Sequence, residues 1–269
     1  MMDGSLGAAA SKAETAATQV VPSNRVVILG ALSAIAIATA RIYAAEGASI
    51  LLAARNEERL NGLAADLRAR GAARVEIAAL DLEAGAANAR ALLAFWSGAL
   101  GGIDHVHVIY GYLGSQDKAS SDPTELARIV SSNFTSAVQW CEAAADIMRR
   151  QKHGSIVAVS SVAGDRGRQS NYAYGAAKGA IALYVQGLAH SLSKYGARAV
   201  AVKPGFVDTP MTDGMNKAGA LWVKPEQIAT VLRKAADKGG PIQYAPGLWR
   251  MIMLVIRTVP AFVFHKTKL

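Results

Sequence analysis

Short apolar runs alternate with helical segments along most of the chain, and this alternation limits the folds open to it. Seven apolar runs have the length of buried strands, at residues 25–30, 48–55, 75–80, 103–110, 154–161, 198–203 and 242–244. The segments predicted as helices lie at 34–46, 56–70, 123–151, 170–195 and 225–237. Strands that alternate with helices form parallel sheets with right-handed crossovers. We therefore predict an α/β fold with one doubly wound parallel sheet flanked by helices.

The chain is long enough to form a single domain with one large core. It has 269 residues, of which 52% are hydrophobic and 18% are charged, as is typical of a compact protein. Residues 1–24 are rich in Ala, Ser, Thr and Gly, and we predict that they form a flexible extension before a domain at 25–269. No apolar stretch reaches the roughly 18 uninterrupted residues of a membrane-spanning helix. The single cysteine, Cys141, fits a reducing compartment, so a cytoplasmic location is expected.

The first strand feeds a helix through a glycine, which is where a dinucleotide pyrophosphate binds in Rossmann-type domains. We therefore expect Gly30, Ser33, Ala34 and Ile35 to contact a dinucleotide. The motif is incomplete, because Ala34 and Ala36 stand where the dinucleotide fingerprint has its second and third glycines. An alanine permits close approach of a cofactor only where its φ angle is negative.

The ends of the second and third strands provide further cofactor contacts. Arg55 stands where a carboxylate would bind a ribose 2′-hydroxyl, and an arginine suits a 2′-phosphate instead. This favours NADPH over NAD, although Arg55 could also be a solvated neighbour of Glu57 and Glu58. Asp81 and Leu82 follow the third strand. Asp81 could accept a hydrogen bond from an adenine amino group or cap the next helix.

Ser161, Tyr174 and Lys178 form the candidate catalytic group. Tyr174 and Lys178 are four residues apart and share one helix face. A phenol has a pKa of about 10, and a neighbouring cation is expected to move it toward neutral pH. Ser161, at the end of an apolar strand, could hold the oxygen that is protonated. Tyr172 has no lysine four residues after it and is not a candidate.

Three other polar residues in apolar surroundings have a structural or a functional interpretation. His105 and His107 share one strand face without further carboxylate or cysteine ligands on it, so we predict packing residues and no metal site. Asn133 lies within the long predicted helix at 123–151. Its amide could be a satisfied structural group, or it could anchor water or kink the helix toward the site.

The charge and the C-terminal segment point to an anionic or apolar partner. The net charge is +9, which suits a dinucleotide, a phosphorylated substrate or a lipid surface. No Lys/Arg-rich run is interleaved with aromatic residues, so a nucleic acid is not expected. Residues 208–224 are predicted to form a mobile lid over the substrate. The apolar tail at 246–269 could lie on a membrane, line an apolar substrate entry or pack at an oligomer interface.

From about residue 25 onward the chain resembles the short-chain dehydrogenase/reductase family. The residues that carry the resemblance are Gly30, Asp81, Asn133, Ser161, Tyr174, Lys178, Pro204, Gly205 and Thr209. The resemblance implies a Rossmann fold, a nicotinamide cofactor and homo-oligomers. It also implies that Tyr174 is the acid/base, that Lys178 lowers its pKa and binds the nicotinamide ribose, that Ser161 orients the carbonyl, and that Asn133 holds a relay water.

Two further segments resemble the family's cofactor contacts. Pro204, Gly205, Val207 and Thr209 match the segment next to the nicotinamide. At 108–111 this chain has Val-Ile-Tyr-Gly where the family has Asn-Asn-Ala-Gly, so only the glycine, Gly111, matches the motif.

Within the family, three segments resemble the branch of reductases that complete the 2′-epimerisation of decaprenylphosphoryl-ribose. They are YGYLGS at 110–115, SSVAGDRGRQSNYAYGAAK at 160–178 and WRMIMLVIRTVPAFVF at 249–264. This resemblance implies reduction of a 2-keto pentose on a polyprenyl phosphate, a flavin oxidase partner subunit and peripheral contact with the inner membrane face. Four arginines could serve phosphate or membrane contact, namely Arg166, Arg168, Arg250 and Arg257.

Two alternatives remain open from the sequence. One is a reductase of a soluble ketone or a 3-ketoacyl thioester. The other is a catalytically silent, NADP-binding scaffold, which the alanines at 34 and 36 and the altered motif at 108–111 would suit.

Overall fold

A seven-stranded parallel sheet forms the centre of the computed structural model, which describes residues 24–214 and 216–267. Its strands are β1 (Arg25–Leu29), β2 (Ser49–Ala54), β3 (Arg74–Ala79), β4 (His105–Val108), β5 (Ser155–Val159), β6 (Arg198–Pro204) and β9 (Ile242–Ala245); β7 (Phe206–Val207) and β8 (Trp222–Val223) form a separate parallel pair. The order across the large sheet is β3-β2-β1-β4-β5-β6-β9. The predicted doubly wound α/β fold is therefore confirmed. The predicted flexible extension, apart from Asn24, lies outside the described residues.

Helices cover both faces of the sheet. In chain order they are α1 (Ala34–Ala45), α2 (Glu57–Ala69), α3 (Ala89–Leu100), α4 (Gln116–Ala119), α5 (Pro123–Val130), α6 (Ser136–Gln151), α7 (Tyr172–Ser193), α8 (Pro225–Lys238), α9 (Trp249–Thr258) and α10 (Ala261–Phe264). The core on one face contains side chains of α1, α2 and α8, and the core on the other contains side chains of α3, α6 and α7.

The sequence of β1 shows why the sheet is covered on both sides. Val26 and Ile28 belong to the core with α1, α2 and α8, whereas Val27 and Leu29 belong to the opposite core. All four side chains are 0% exposed. Successive side chains of a strand point to opposite faces, so a strand between two helical layers is apolar at every position. Burial of each such side chain stabilises the fold by about 1.5–3 kcal/mol.

The helical tract predicted at 123–151 is helical throughout, but a π-helical turn at Ser131–Thr135 divides it into α5 and α6. The backbone N–H of Ser136 donates to Ser131 O, five residues earlier. The Asn133 amide donates to Ile129 O at 2.8 Å. A side chain that takes a helical carbonyl competes with the backbone ladder, and the helix accommodates it with one extra residue in the turn.

The segment predicted as a lid contains defined contacts in its described part. Phe206 pairs with Trp222 and Val207 with Val223 in the β7–β8 ladder. The Lys217 ammonium makes ion pairs with Asp208 and Asp213. These contacts tie the two ends of the segment together.

The C-terminal tail forms α9 and α10 and packs against the turn after β5. Trp249 is 3% exposed and Met253 is 0% exposed, and both belong to one buried cluster with Val162. The opposite face of the tail is exposed at Leu248, Met251, Leu254, Val255, Phe262 and Val263. Among residues 24–214 and 216–267, no helix has the length and apolar character needed to cross a membrane.

Candidate active site

A cleft of about 970 Å³ lies at the carboxyl ends of the central strands. The helices that follow β1 and β4 cover opposite faces of the sheet, and ligands bind at such a switch point in open α/β sheets. The structure brings together most of the residues predicted for the site. Those that line the cleft are Gly30, Ser33, Ala34, Ile35, Arg55, Asp81, Leu82, Gly111, Ser161, Tyr174, Lys178, Pro204, Gly205, Val207 and Thr209.

The turn after β1 requires its glycine. Gly30 has a φ of 84°, and a Cβ atom there would lie 2.6 Å from Tyr110 Cβ and 2.7 Å from Ile109 O. Ala34 and Ala36 lie inside α1, and Lys152 is the only non-glycine residue of the described chain with a positive φ. Ala34 and Ala36 therefore both have a negative φ, which is the condition under which an alanine permits close approach of a cofactor.

Ser33 fixes this turn against the end of β4. Its Oγ accepts a hydrogen bond from Ala36 N at 3.2 Å and donates one to Ile109 O at 3.1 Å. The side chain thus caps α1 and ties the turn to the neighbouring strand. The first N–H groups of this twelve-residue helix lie at the cleft, where an anionic pyrophosphate is stabilised.

Two arginines mark the end of the cleft beside β2. Arg55 follows β2 and Arg59 lies in α2, and both are exposed and line the cleft. Neither forms an ion pair with a carboxylate in the described chain, including Glu57 and Glu58. Sequence reasoning missed Arg59. Its spacing of four residues from Arg55, in a helix capped by Asn56 through a 2.8 Å bond to Arg59 N, was an available signal.

Asp81 acts as a local cap in the structure. Its Oδ1 accepts hydrogen bonds from Glu83 N at 2.8 Å and from Ala84 N at 3.2 Å. Of the two interpretations of this residue, the capping interaction is the one that the described chain forms. The carboxylate nevertheless lines the cleft beside Leu82.

Lys178 lies buried beneath the cleft. It is 3% exposed, and its Nζ donates to Val159 O at 3.0 Å. Ser160 Oγ donates to the backbone carbonyl of Lys178 at 2.6 Å and so attaches α7 to the end of β5. Burial lowers the pKa of Lys178 to about 8, because a low-dielectric environment disfavours the charged form.

Tyr174 stands above this lysine, with Lys178 Nζ 5.8 Å from the centroid of its ring. Burial raises the pKa of Tyr174 to about 12, and a hydrogen bond with Ser161 opposes the increase. The sequence led us to expect a lowered pKa, but in the structure desolvation of the phenol outweighs the hydrogen bond with Ser161. The phenol is therefore protonated at neutral pH, which is the state that a proton donor requires.

Close backbone packing sets the position of Tyr174 relative to Ser161. A Cβ atom on Gly164 would lie 2.5 Å from Gly179 N, and one on Gly175 would lie 2.7 Å from Ala163 O. The turn that begins at Ser161 and the first turns of α7 thus touch through their main chains. Any larger side chain at these glycines would move Tyr174 away from the serine. Sequence reasoning missed this contact, although the small residues around Tyr174 were its signal.

Asn133 does not line the cleft and instead supports it from behind. It is 1% exposed, and its side chain bonds to both the N–H and the carbonyl of Tyr112. A Cβ atom on Gly111 would lie 2.5 Å from Asn133 Oδ1 and 3.1 Å from Lys178 Nζ. Asn133, Lys178 and the backbone of Gly111 therefore converge on one point of the cleft wall.

The two histidines of β4 bond to other side chains away from the cleft. His107 Nε2 lies 2.8 Å from the Tyr43 hydroxyl, and His105 Nδ1 lies 2.8 Å from Ser155 Oγ. Burial lowers the pKa of His105 to about 4 and that of His107 to about 3. Across the described ranges, no group of three or more His, Cys, Asp or Glu side chains is placed to hold a metal ion.

The family assignment follows from comparison with known proteins. The family model described as short chain dehydrogenase matches residues 24–219, a range that contains all the cleft residues predicted from the sequence. The chain belongs to the short-chain dehydrogenase family. An uncharacterized oxidoreductase of Mycobacterium tuberculosis is 37% identical over 241 residues, which cover 90% of this chain and 96% of the relative. An uncharacterized oxidoreductase of Streptomyces coelicolor is 32% identical over 248 residues, covering 91% and 96%.

Solved structures show the same short-chain dehydrogenase architecture. Levodione reductase aligns with a TM-score of 0.76 at 25% identity, over 85% of this chain and 98% of that one. An actinorhodin polyketide ketoreductase with NADPH aligns with a TM-score of 0.73 at 22% identity, over 82% and 95%, and this likeness concerns the fold alone. Family membership and the oxidoreductase relatives identify this short-chain dehydrogenase as an NAD(P)-dependent oxidoreductase.

Proposed function

We propose that the protein is an NADPH-dependent ketoreductase in which Tyr174 donates a proton to the substrate carbonyl. The observation that carries the proposal is the convergence of a protonated Tyr174, the Ser161 hydroxyl and the buried Lys178 at one end of the cleft. A phenol, a hydroxyl and a cation aimed at one volume suit an oxygen that gains negative charge and then a proton.

The residues of the cleft fit a dinucleotide phosphate. The Gly30 turn leaves no room for a side chain, and Ser33 presents the start of α1 to the cleft. Arg55 and Arg59 would bind the 2′-phosphate, because an arginine pairs with phosphate through several N–H groups. The bound nicotinamide would supply the hydride that reaches the carbonyl carbon.

The chain itself would manage the proton and the carbonyl. Ser161 would donate a hydrogen bond to the carbonyl oxygen while Tyr174 delivers its proton to the same atom. The buried Lys178 would stabilise the resulting phenolate electrostatically, since charge interactions strengthen in a low-dielectric site. Asn133 would hold the Gly111–Tyr112 backbone in place beside this lysine.

For the substrate we propose the 2-keto pentose of a polyprenyl-phosphate sugar, which an oxidation by a flavin oxidase partner would supply. The position of the tail supports an apolar substrate. Trp249 of α9 packs against Gly205, and its ring lies 5.2 Å from that of Phe206; both Gly205 and Phe206 line the cleft. The exposed apolar face of α9 therefore begins close to the cleft. A soluble ketone or a 3-ketoacyl thioester is the alternative substrate.

The test is a comparison of Tyr174→Phe with Tyr172→Phe. Tyr172 belongs to the same helix, but it is 50% exposed, its hydroxyl lies 3.0 Å from Ser120 Oγ, and it is absent from the cleft lining. We expect Tyr174→Phe to lower kcat by about 100-fold or more, since general acids contribute 10²–10⁴-fold, while Tyr172→Phe keeps its activity. Substantial turnover by Tyr174→Phe would refute the proposal.

The substrates for this test are a polyprenyl-phosphate keto sugar, a 3-ketoacyl thioester and a soluble ketone, each with NADPH. A titration that follows NADPH fluorescence accompanies the kinetics. Binding of NADPH without turnover of any of these ketones would favour the silent scaffold. Preference for the thioester or the soluble ketone would refute the lipid-linked substrate, while the proposed reaction, reduction of a ketone, would be retained.

We also propose that the exposed face of the tail lies on an anionic lipid surface. Met251 is 59% exposed and Val255 is 62% exposed, and no Asp or Glu follows Asp237 in the sequence. An apolar face flanked by cations binds anionic bilayers. We expect Met251→Glu/Val255→Glu to abolish sedimentation with vesicles that contain phosphatidylglycerol. Wild-type protein that stays in the supernatant, or that buries this face in a dimer seen by light scattering, would overturn the membrane contact.

A further inference from the structure

Two buried polar atoms without partners lie on the loop between the turn after β5 and helix α7. They are Nε of Arg168 and Oδ1 of Asn171. Both residues line the cleft, and Asn171 also lines a second cavity of about 320 Å³ that it shares with Tyr174. A buried polar atom without a partner costs free energy, so a pair of them at the mouth of a site indicates groups that a ligand satisfies.

Backbone hydrogen bonds fix the conformation of the loop that carries the two residues. Asn171 N donates to Arg168 O at 3.2 Å, and Asn171 O accepts from Gly175 N at 2.8 Å, which attaches the loop to the start of α7. The Arg168 guanidinium reaches toward the tail, where its Nη2 lies 4.0 Å from the Met253 sulfur. The arginine therefore stands between the catalytic tyrosine and the apolar tail.

The carboxylate nearest in effect to Arg168 is already engaged by other side chains. Asp165 is the acidic residue that influences Arg168, but one Asp165 oxygen pairs with the Lys203 ammonium and the other accepts from the Tyr244 hydroxyl at 2.7 Å. No ion pair involves Arg168 within residues 24–214 and 216–267. Burial lowers the pKa of the guanidinium, because a desolvated cation without a counter-charge is destabilised.

The neighbouring Arg166 has a different task. It donates to Val259 O at 2.6 Å and to Ile256 O, and its guanidinium lies 3.9 Å from the centroid of the Phe264 ring. Its Nη1 is thus occupied by the carbonyls at the end of α9. Of the two arginines in this loop, only Arg168 has a buried donor that lacks an acceptor.

We propose that Arg168 and Asn171 form a subsite that binds a phosphate and an adjoining hydroxyl of the substrate. The Arg168 Nε–H would donate to a phosphate oxygen, and Asn171 Oδ1 would accept from the hydroxyl. The subsite would face away from the cofactor arginines beside β2 and toward the tail. This inference rests on the proposed ketoreductase in one respect: that function is the reason to call the ligand of the subsite a substrate.

The decisive experiment measures phosphate binding apart from turnover. Protein saturated with NADP is titrated calorimetrically with hexyl phosphate, with hexanol and with inorganic phosphate. We expect hexyl phosphate to bind at least about 10-fold more tightly than hexanol. Arg168→Met should remove this preference, and Asn171→Ala should leave it in place because the probe has no hydroxyl beside its phosphate. Equal binding of inorganic and hexyl phosphate would identify a free phosphate as the ligand rather than a lipid headgroup.

Arg150→Met is the matched control, because Arg150 is an exposed arginine of α6 outside the cleft. It removes the same charge and should keep the preference for hexyl phosphate. Retained preference in Arg168→Met, or no preference in the wild type, would overturn the subsite. If Arg168→Met unfolds, Arg168→Gln provides the same measurement with a polar side chain.

Kinetics separate this inference from the proposed function. For ketones that carry a phosphate, Arg168→Met should raise KM by about 10- to 100-fold, and a neutral ketone should keep its KM. A wild type that reduces no ketone but binds hexyl phosphate through Arg168 refutes the ketoreductase and retains the subsite. If the wild type reduces ketones but Arg168→Met leaves phosphate binding unchanged, the subsite is refuted and the ketoreductase is retained.

Discussion

Asn133 and Tyr112 exchange two hydrogen bonds, from Tyr112 N to Asn133 Oδ1 at 3.2 Å and from Asn133 Nδ2 to Tyr112 O at 2.6 Å. The same amide donates to Ile129 O at 2.8 Å. One buried side chain therefore joins the break between α5 and α6 to the loop after β4. Because Gly111 precedes Tyr112 and a Cβ atom on it would lie 3.1 Å from Lys178 Nζ, this connection fixes the wall of the cleft next to Lys178.

Replacement of Asn133 by Ala should destabilise the protein and disorder this wall. Loss of the amide leaves buried backbone groups unpaired, at about 1–3 kcal/mol, and chemical denaturation measures the loss. We expect kcat to fall more than KM changes, since the lysine and not the substrate loses its support. Gln139→Ala, an exposed amide on α6, is the control. An Asn133→Ala enzyme with wild-type kcat would show that the wall does not depend on this amide.

Replacement of Arg55 and Arg59 by Ala tests the cofactor preference. If both bind the 2′-phosphate, KM for NADPH should rise by about 10- to 100-fold in each variant. KM for NADH should stay near its wild-type value, and this comparison within one variant is the control. Equal KM values for NADPH and NADH in the wild type would contradict the preference.

The buried histidines predict a loss of stability in acid. Burial lowers the pKa of His107 to about 3 in the folded chain, against an ordinary value of 6.5, so the unfolded state binds more protons between these pH values. Stability from this residue is present above pH 6.5 and falls as the pH decreases, by about 2 kcal/mol between pH 7 and pH 5. His107→Gln removes the titration while it can still bond to Tyr43. Denaturation curves at both pH values should therefore differ less for His107→Gln than for the wild type.

Arg166→Ala should release the C-terminal tail. Its guanidinium satisfies carbonyls at the end of α9, where a helix lacks internal partners. We expect trypsin to cleave after Arg257 several times faster in the variant, at an otherwise similar denaturation midpoint of the remaining domain. Arg250→Ala is the control that removes an arginine from the same helix without this contact. Unchanged cleavage in Arg166→Ala would mean that the apolar contacts of Trp249 and Met253 hold the tail alone.

The fold could be predicted from the sequence because the apolar runs that indicate strands depend only on local composition. Each apolar run between helical segments matched a strand of the sheet, and the catalytic spacing of Tyr174 and Lys178 required only helical periodicity. A kink at Asn133 was one interpretation of the sequence, but the sequence did not predict that it would be a π turn, because this turn arises from one side chain that takes a particular carbonyl. The raised pKa of Tyr174 escaped it because burial is set by residues distant in sequence. The unpartnered atoms of Arg168 and Asn171 became visible only in the folded chain, where the loop that carries them lines the cleft.

Two aromatic contacts beside the cleft give this protein an intrinsic tryptophan fluorescence signal. Phe206 lies between Trp222 and Trp249, with ring centroids 5.2 Å from each, whereas Trp96 and Trp140 stack on each other within the core. Of the four tryptophans in the chain, half therefore adjoin the cleft and half are remote from it. The emission of the first pair should respond when a ligand displaces Phe206, and the second pair supplies a constant background. Ligand occupancy could then be followed in the unlabelled protein, even for compounds that are never turned over.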